Sequence, residues 1–412
     1  MRVAVLSPFI DRRHGTERCI AEQLQRFAKQ LGAEIHVYSQ QVDDLDDVVR
    51  YPAPASQSRI LWHKVPRLPG PHLSSYLWWF FANHVQRSWD STVRSLKFDV
   101  VYSAGVNAID ADAISIHVVF REFFRRVHPR LRFRNAPIRA WPIILHRSLY
   151  YRLICFLEGF VYRRQTTALT AISQHSADCA AQLFQRSDVK VIRYGVDLTT
   201  FNPGNRMSRR EAARSSFHVG AADFCLVLIG NDWKNKGLDA LLQAISECHD
   251  LPATLLVIGS DDRRSYTQSA RALQIEHRVK FLPPSSDVMQ FYAAADAYVG
   301  PSLEDAYGLP VLEAMACGLP VIASSSAGVS EIITNQKDGL ILRDPQDHRE
   351  LAELLRLLCT NPDLCRRVSH EAYLTAQQHT WDYNASQTWE FLKETAAKKK
   401  SAANSLRPAA NP

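Results

Sequence analysis

The stretch Pro301–Ser324, PSLEDAYGLPVLEAMACGLPVIAS, constrains the fold more than any other part of the chain. A polar turn holding two carboxylates, Glu304 and Asp305, passes through Gly308 into a run that starts Leu309-Pro310 and reads as helix through Ala316. Proline is accepted in a first helical turn, where its N–H would have no partner, and Gly318 with Pro320 supplies the stop. Val321–Ala323 then reads as a short buried strand. Backbone N–H groups near Gly308 and Leu309 would therefore sit at the positive end of a helix, a place that can hold a phosphate. Asp305 on the loop and Glu313 in the helix could both face a ligand lying across that start, and carboxylates accept from sugar hydroxyls. The same residues also fit an ordinary helix start with two solvated acids.

The pattern of strand, polar loop and helix recurs along the chain. Arg2–Ser7 is a nearly continuous apolar run of the kind buried on both faces of a parallel sheet. A polar loop with Gly15 follows, then Thr16 as N-cap, a helical pattern through Leu31 and a strand over Glu34–Ser39. Arg59–Val65, Asp99–Ser103, Ala113–Val119 and Thr167–Ser173 read as further strands. The aromatic cluster Tyr76–Phe81 reads as core or domain interface more readily than as a membrane wedge, and it could also supply an apolar acceptor groove. His117 falls near the end of its strand, where ligands gather in open α/β sheets; a purely structural histidine is the other reading. After Met207–Gly220, read as a polar connection, the pattern restarts with strand Cys225–Gly230, helix Gly237–Cys248, and strands Ala253–Gly259 and Val279–Leu282. A helix start at Gly328 and a turn and strand in KDGLIL follow. Two such halves predict a cleft between two domains.

Composition narrows the partners. A chain of 412 residues has room for two or three domains, and 46% hydrophobic with 22% charged residues is a globular balance. The net charge of +7 favours an anionic partner: nucleic acid, anionic lipid or a nucleotide diphosphate. Eight cysteines without a C-x-x-C pair suit a reducing compartment better than a disulfide framework or a zinc site. The N-terminus reads as a first strand, not a signal peptide, and no run of eighteen apolar residues marks a spanning helix. From Arg121 to Arg164 there are eleven arginines against two acids, Glu122 and Glu158, interleaved with aromatics. That mixture suits an anionic membrane surface or lipid-phosphate acceptor, nucleic acid, or a plain solvated face.

Pro301–Ser324 resembles the donor-site signature of the retaining glycosyltransferases of family 4, which have the GT-B fold. Asp305 stands where a Glu is usual and Tyr307 where a Phe is usual, while Glu313 matches the second Glu; Glu304 is a neighbour that the spacing disfavours. KVIRYGVDLTTFNP (Lys190–Pro203) resembles the family's linker motif, with Tyr194 in place of Asn and Gly195 supplying a backbone turn at the cleft. Lys236 before Gly237 matches the lysine that faces the donor diphosphate, whereas Asn231 stands where Arg is usual, removing a charge-assisted contact to phosphate. In the first loop Gly15 matches, with His14 at the place of another Gly. The family commonly places a histidine where His117 stands.

The resemblance implies an α/β chain of GT-B fold, with two Rossmann-like domains facing across a cleft. Residues 1–203 would form the acceptor domain, completed by a helix near 378–395. Residues 204–377 would bind the nucleotide-sugar, and 396–412 would be a disordered basic tail. It implies sugar transfer with retention from a nucleotide-diphosphate sugar, UDP- or GDP-linked, to an acceptor hydroxyl of a cell-surface or lipid-linked glycan. Lys236 and the N–H groups near Gly308 and Leu309 would stabilise the leaving diphosphate, Asp305 would hold sugar hydroxyls, Glu313 the ribose, and His117 the sugar or acceptor. No metal is implied, so Asp110-Ala111-Asp112, a literal D-x-D, reads as a coincidence in a loop. The expected location is the cytoplasm, either free or against the inner face of the cytoplasmic membrane, with no nucleic-acid partner. The alternatives are a GT-B nucleotide-sugar epimerase, or a membrane- or nucleic-acid-binding module that uses residues 121–164.

Overall fold

Apolar runs too short for helices become parallel strands, and the amphipathic stretches between them cover both faces of the sheets. The computed structural model describes residues 1–12, 15–52, 59–127 and 141–405. His14, four arginines of the Arg-rich stretch (Arg130, Arg132, Arg134 and Arg139) and residues 406–412 of the tail lie outside the described residues. The chain divides into two compact units: unit 1 holds residues 1–193 and 384–412, and unit 2 holds 194–383.

Unit 1 opens with β1 (Arg2–Leu6), β2 (Phe9–Ile10), α1 (Gly15–Lys29), β3 (Glu34–Ser39), β4 (Gln41–Val42), β5 (Val48–Arg50), β6 (Ile60–Lys64) and α2 (His72–Thr92). It continues with β7 (Val100–Ala104), β8 (Ala113–Ile116), α3 (Phe120–Val127), α4 (Trp141–Val161), β9 (Ala168–Ala171), α5 (Gln174–Phe184) and β10 (Lys190–Val191). Eight of the strands form a parallel sheet in the order β10-β9-β8-β7-β1-β3-β6-β5. Val3 sits opposite Ile35 on one side and Val100 on the other, and all three are fully buried. The chain winds outward from β1 through β3, then returns to β7 on β1's other side. The carboxyl ends of β1 and β7 therefore flank a topological switch point, where doubly wound sheets open a crevice.

Unit 2 holds α6 (Pro203–Ser216), β11 (Phe224–Ile229), α7 (Leu238–Glu247), β12 (Ala253–Ile258), α8 (Arg264–Ala272), β13 (Val279–Leu282), α9 (Met289–Ala294) and β14 (Ala297–Gly300). Then come α10 (Leu309–Ala316), β15 (Val321–Ser324), β16 (Leu340–Leu342), α11 (His348–Thr360), α12 (Pro362–Gln377) and the start of α13 (Trp381–Ser405). Its six parallel strands run β13-β12-β11-β14-β15-β16, which puts the switch point between β11 and β14. From Asn384 onward α13 belongs to unit 1. There Trp389 packs on Phe27 with ring centroids 5.3 Å apart, and Gln23 donates to Asn384 Oδ1 at 2.9 Å.

Three readings need correction. Met207–Gly220 is not a bare connection: α6 occupies most of it, with Asn202 accepting from the Asn205 N–H as N-cap and Pro203 in the first turn. Its polarity misleads because Arg206, Arg210 and Arg214, spaced by one helical turn, turn inward to carbonyls and to Asp296. The helix expected at Gly328 is a single 3-10 turn over Gly328–Ile332. Residues 396–405, expected to be disordered, are the last turns of α13. They are tied down by Lys399 to Asp112 and Lys400 to Asp99, both at 2.7 Å.

Candidate functional site

The loops after β11 and β14 flank the switch point of unit 2, and their sequences lock them together. Gly237 has φ +76°, and a Cβ there would lie 2.0 Å from the Pro301 carbonyl oxygen, so only glycine lets the two loops approach this closely. Across that contact the Leu303 N–H donates to the Asn235 carbonyl at 2.7 Å, and the Asn235 amide donates to the Glu304 carbonyl at 2.8 Å. The same zipper brings the Lys236 ammonium onto Asp305 Oδ2 as a close ion pair, with both side chains less than one-fifth exposed.

Asp305 is also anchored on its other side. Its carbonyl accepts from the Gly328 N–H at 3.1 Å, and its Oδ1 accepts from the Tyr307 N–H at 3.3 Å. Gly308, at φ +95°, turns the chain into α10, and no side chain caps that helix start. Tyr307 is only 2% exposed and directs its hydroxyl to the Tyr194 carbonyl at 3.4 Å, with the two rings 5.0 Å apart. Leu309 opens α10 beside it. One turn on, Glu313 is 3% exposed and accepts from the Tyr292 hydroxyl at 2.7 Å. Burial, and then the Glu313 charge, push the Tyr292 hydroxyl well above the usual tyrosine range, so Tyr292 stays a donor that orients the carboxylate.

The other candidate residues have different surroundings. Asn231 shares the β11 loop with Lys236, but its side-chain oxygen accepts from the Ser260 N–H and hydroxyl, both at 3.0 Å, tying that loop to the end of β12. Gly195 was expected to supply a turn. It is instead a close-approach glycine, because a Cβ would meet the Thr380 carbonyl carbon and the Trp381 nitrogen at 2.3 Å. His117 and Gly15 belong to unit 1. Gly15 is exposed and opens α1, while His117 follows β8, is 4% exposed, and has its pKa pushed down by burial to about 3.

Sequence reading missed Tyr292 and Asn235. The first lies inside an apolar run and the second in a polar loop, so only their partners reveal a role. Among the described residues there is no group of three or more His, Cys, Asp or Glu arranged to hold a metal. The D-x-D acids are otherwise engaged: Asp110 takes a bidentate pair from Arg87 at 2.8 and 2.9 Å, and Asp112 accepts from the Val101 N–H at 2.8 Å.

A half-buried cation close to a helix start, at the switch point of a parallel sheet, is an arrangement suited to an anionic ligand. The architecture as a whole is the GT-B fold. It matches WaaG, a glycosyltransferase involved in lipopolysaccharide biosynthesis, with a TM-score of 0.73 at 19% identity, covering 95% of this chain and 99% of that one. Anabaena HepE in complex with UDP-glucose matches with a TM-score of 0.69 at 19% identity, covering 96% and 100%.

Residues 210–375, which include Lys236, Asp305 and Glu313, match the family model described as glycosyl transferases group 1. The D-inositol 3-phosphate glycosyltransferase of Rhodococcus erythropolis is 30% identical over 222 residues, covering 50% of this chain and 49% of that protein. That of Jonesia denitrificans is 31% identical over 238 residues, covering 54% and 55%. The chain spans about half the length of the curated relatives it matches.

Proposed function

We propose that this chain moves a glycosyl group from a nucleotide-diphosphate sugar to the hydroxyl of a surface or lipid-linked glycan, with retention at the anomeric carbon. The observation that carries the reading is the Lys236–Asp305 pair held against the uncapped start of α10. A pyrophosphate entering there would draw the ammonium toward itself and meet the N–H groups at Gly308 and Leu309, leaving Asp305 to accept from sugar hydroxyls. Glu313, oriented by Tyr292, would take the ribose hydroxyls. The bond from the anomeric carbon to the β-phosphate oxygen breaks and the bond to the acceptor oxygen forms on the same face. The acceptor proton passes to the departing diphosphate. Lys236 and the helix start would then stabilise charge that grows only as the donor bond breaks, which is where binding energy accelerates a reaction. His117, kept neutral by burial, would serve the sugar or acceptor as a hydrogen-bond partner and not as a cation.

The test is turnover with a panel of UDP- and GDP-sugars, with and without glycan acceptors. Transfer that needs the acceptor is expected, and conversion of the donor sugar without one would point to an epimerase instead. Lys236→Ala is expected to lower kcat by about 10²–10³ with melting nearly unchanged, the size seen when one donor to a developing oxyanion is removed. Wild-type kcat in that variant would sink the reading.

A further inference from the structure

Exposed apolar side chains are distributed unevenly over the described residues. Of the eighteen large ones, eleven belong to α2, its C-cap Val93, and α4. On α2, Leu77, Phe81, Val85, Trp89 and Val93 recur every fourth residue, each turned only ~40° from the one before. On α4, Trp141, Leu145, Leu149, Phe156 and Phe160 fall within an arc of ~100°, and Arg152 shares that arc. The two helices are joined within unit 1: the Leu73 N–H donates to His146 Nε2 at 3.2 Å, and the Tyr76 and Tyr150 rings lie 5.8 Å apart.

The charges on these helices all have one sign where they meet water. Their acids, Asp90 and Glu158, are both 0% exposed, while Arg152 on the apolar arc is exposed, as is Arg163 just beyond α4; Arg147 is exposed on the other side of α4. An apolar strip whose exposed charges are arginines matches the boundary between acyl chains and acidic headgroups. There the apolar side chains leave water, and long arginine stems lie along them with their heads at the phosphates. A second copy of the chain would set arginine against arginine, and a nucleic acid would leave the phenyl and indole groups in water.

We propose that the α2 and α4 face of unit 1 docks on an anionic lipid bilayer. Among the described residues no helix is long and apolar enough to cross a membrane, so the contact is one of lying on the surface. The inference does not depend on glycosyl transfer.

Flotation of the full chain with vesicles tests it, comparing phosphatidylglycerol-rich vesicles with phosphatidylcholine alone. Binding to the anionic vesicles that weakens as salt rises is expected. The pairs Phe81→Ser with Trp89→Ser, and Phe156→Ser with Phe160→Ser, should each lower partitioning by roughly tenfold or more while melting is retained. Arg152→Glu with Arg163→Glu should remove the preference for the anionic lipid. Failure to float, or flotation that none of these variants weakens, would overturn the proposal. So would a dimer in light scattering that the phenylalanine variants dissolve.

Discussion

Units 1 and 2 are the same architectural idea built twice, a parallel sheet wound outward from its middle, yet they differ at the two places where such a sheet meets its surroundings. In unit 2 the loops at the switch point are bonded to each other through Asn235, Leu303 and the Lys236–Asp305 pair, and only Met207, Leu374 and Tyr383 are large apolar residues left exposed among its described residues. In unit 1 the glycine after β7, Gly105, has φ +74° but nothing within 4 Å of where a Cβ would stand, and two of its helices carry broad apolar faces to the surface. A fixed site needs loops with no room to spare; a docking face needs area. The same topology supplies either, according to what the loops and outer helices carry.

Substituting the two glycines breaks or sharpens this contrast most strongly. Gly105→Ala meets only the cost of a left-handed backbone and should lower stability by ~1–2 kcal/mol. Gly237→Ala carries the same cost and also drives a methyl group onto the Pro301 carbonyl, so the loops must part. Its loss should exceed ~3 kcal/mol, with Lys236 withdrawn from Asp305 and donor binding lost. Chemical denaturation compares the stabilities, and calorimetric titration with nucleotide-sugars reports the site. Equal losses at the two positions would remove the claim that unit 2's loops are the tighter.

The contrast also explains what could be read from the sequence. Strands such as Glu34–Ser39 and Val279–Leu282 were legible to the residue, the first a buried inner strand and the second a half-buried edge strand, because both are short apolar-rich runs between polar stretches. The candidate site around Asp305 and Glu313 could be proposed from a local pattern, since the helix start, its glycine and both acids lie within a few residues. What was hidden depends on distant partners. Nothing local reveals that Asn231 spends its oxygen on Ser260, that Arg206, Arg210 and Arg214 turn inward, or that Tyr292 steers Glu313. The aromatic cluster on α2 divides in a way that composition cannot show: Trp79 is buried, and Phe81, two residues on, is 62% exposed.

Unit 1 contains a second difference that pH should expose. Glu158, on the buried side of α4, accepts from the Phe120 and Arg121 N–H groups at 2.7 and 2.9 Å, clamping the start of α3 a few residues beyond His117. Burial, only partly offset by those N–H groups, pushes its pKa up to about 7. A carboxyl that holds its proton more tightly folded than unfolded stabilises the protein below the unfolded pKa, and that contribution disappears as pH rises through 7. Stability should fall by on the order of 2–3 kcal/mol between pH 4.5 and 8, and Glu158→Gln should flatten the decline. An unchanged slope in that variant would show that the clamp does not titrate.

The smallest expected effect has the opposite sign and concerns the end of α13. Asp99 is held below the usual carboxylate range first by its hydrogen bond from Lys400 and then by the Arg2 N–H. Its share of stability is therefore present above the unfolded pKa and lost as pH falls through the folded one. Lys400 and Lys399 are largely in water, with side chains 69% and 44% exposed, so solvent and salt screen both pairs. Replacing the two lysines with alanine should cost less than ~1 kcal/mol in all and nothing measurable at 1 M salt, because Trp389 and the Gln23–Asn384 bond already hold the helix. A loss of several kcal/mol would mean that these last turns, which composition alone assigns to disorder, belong to the core of unit 1.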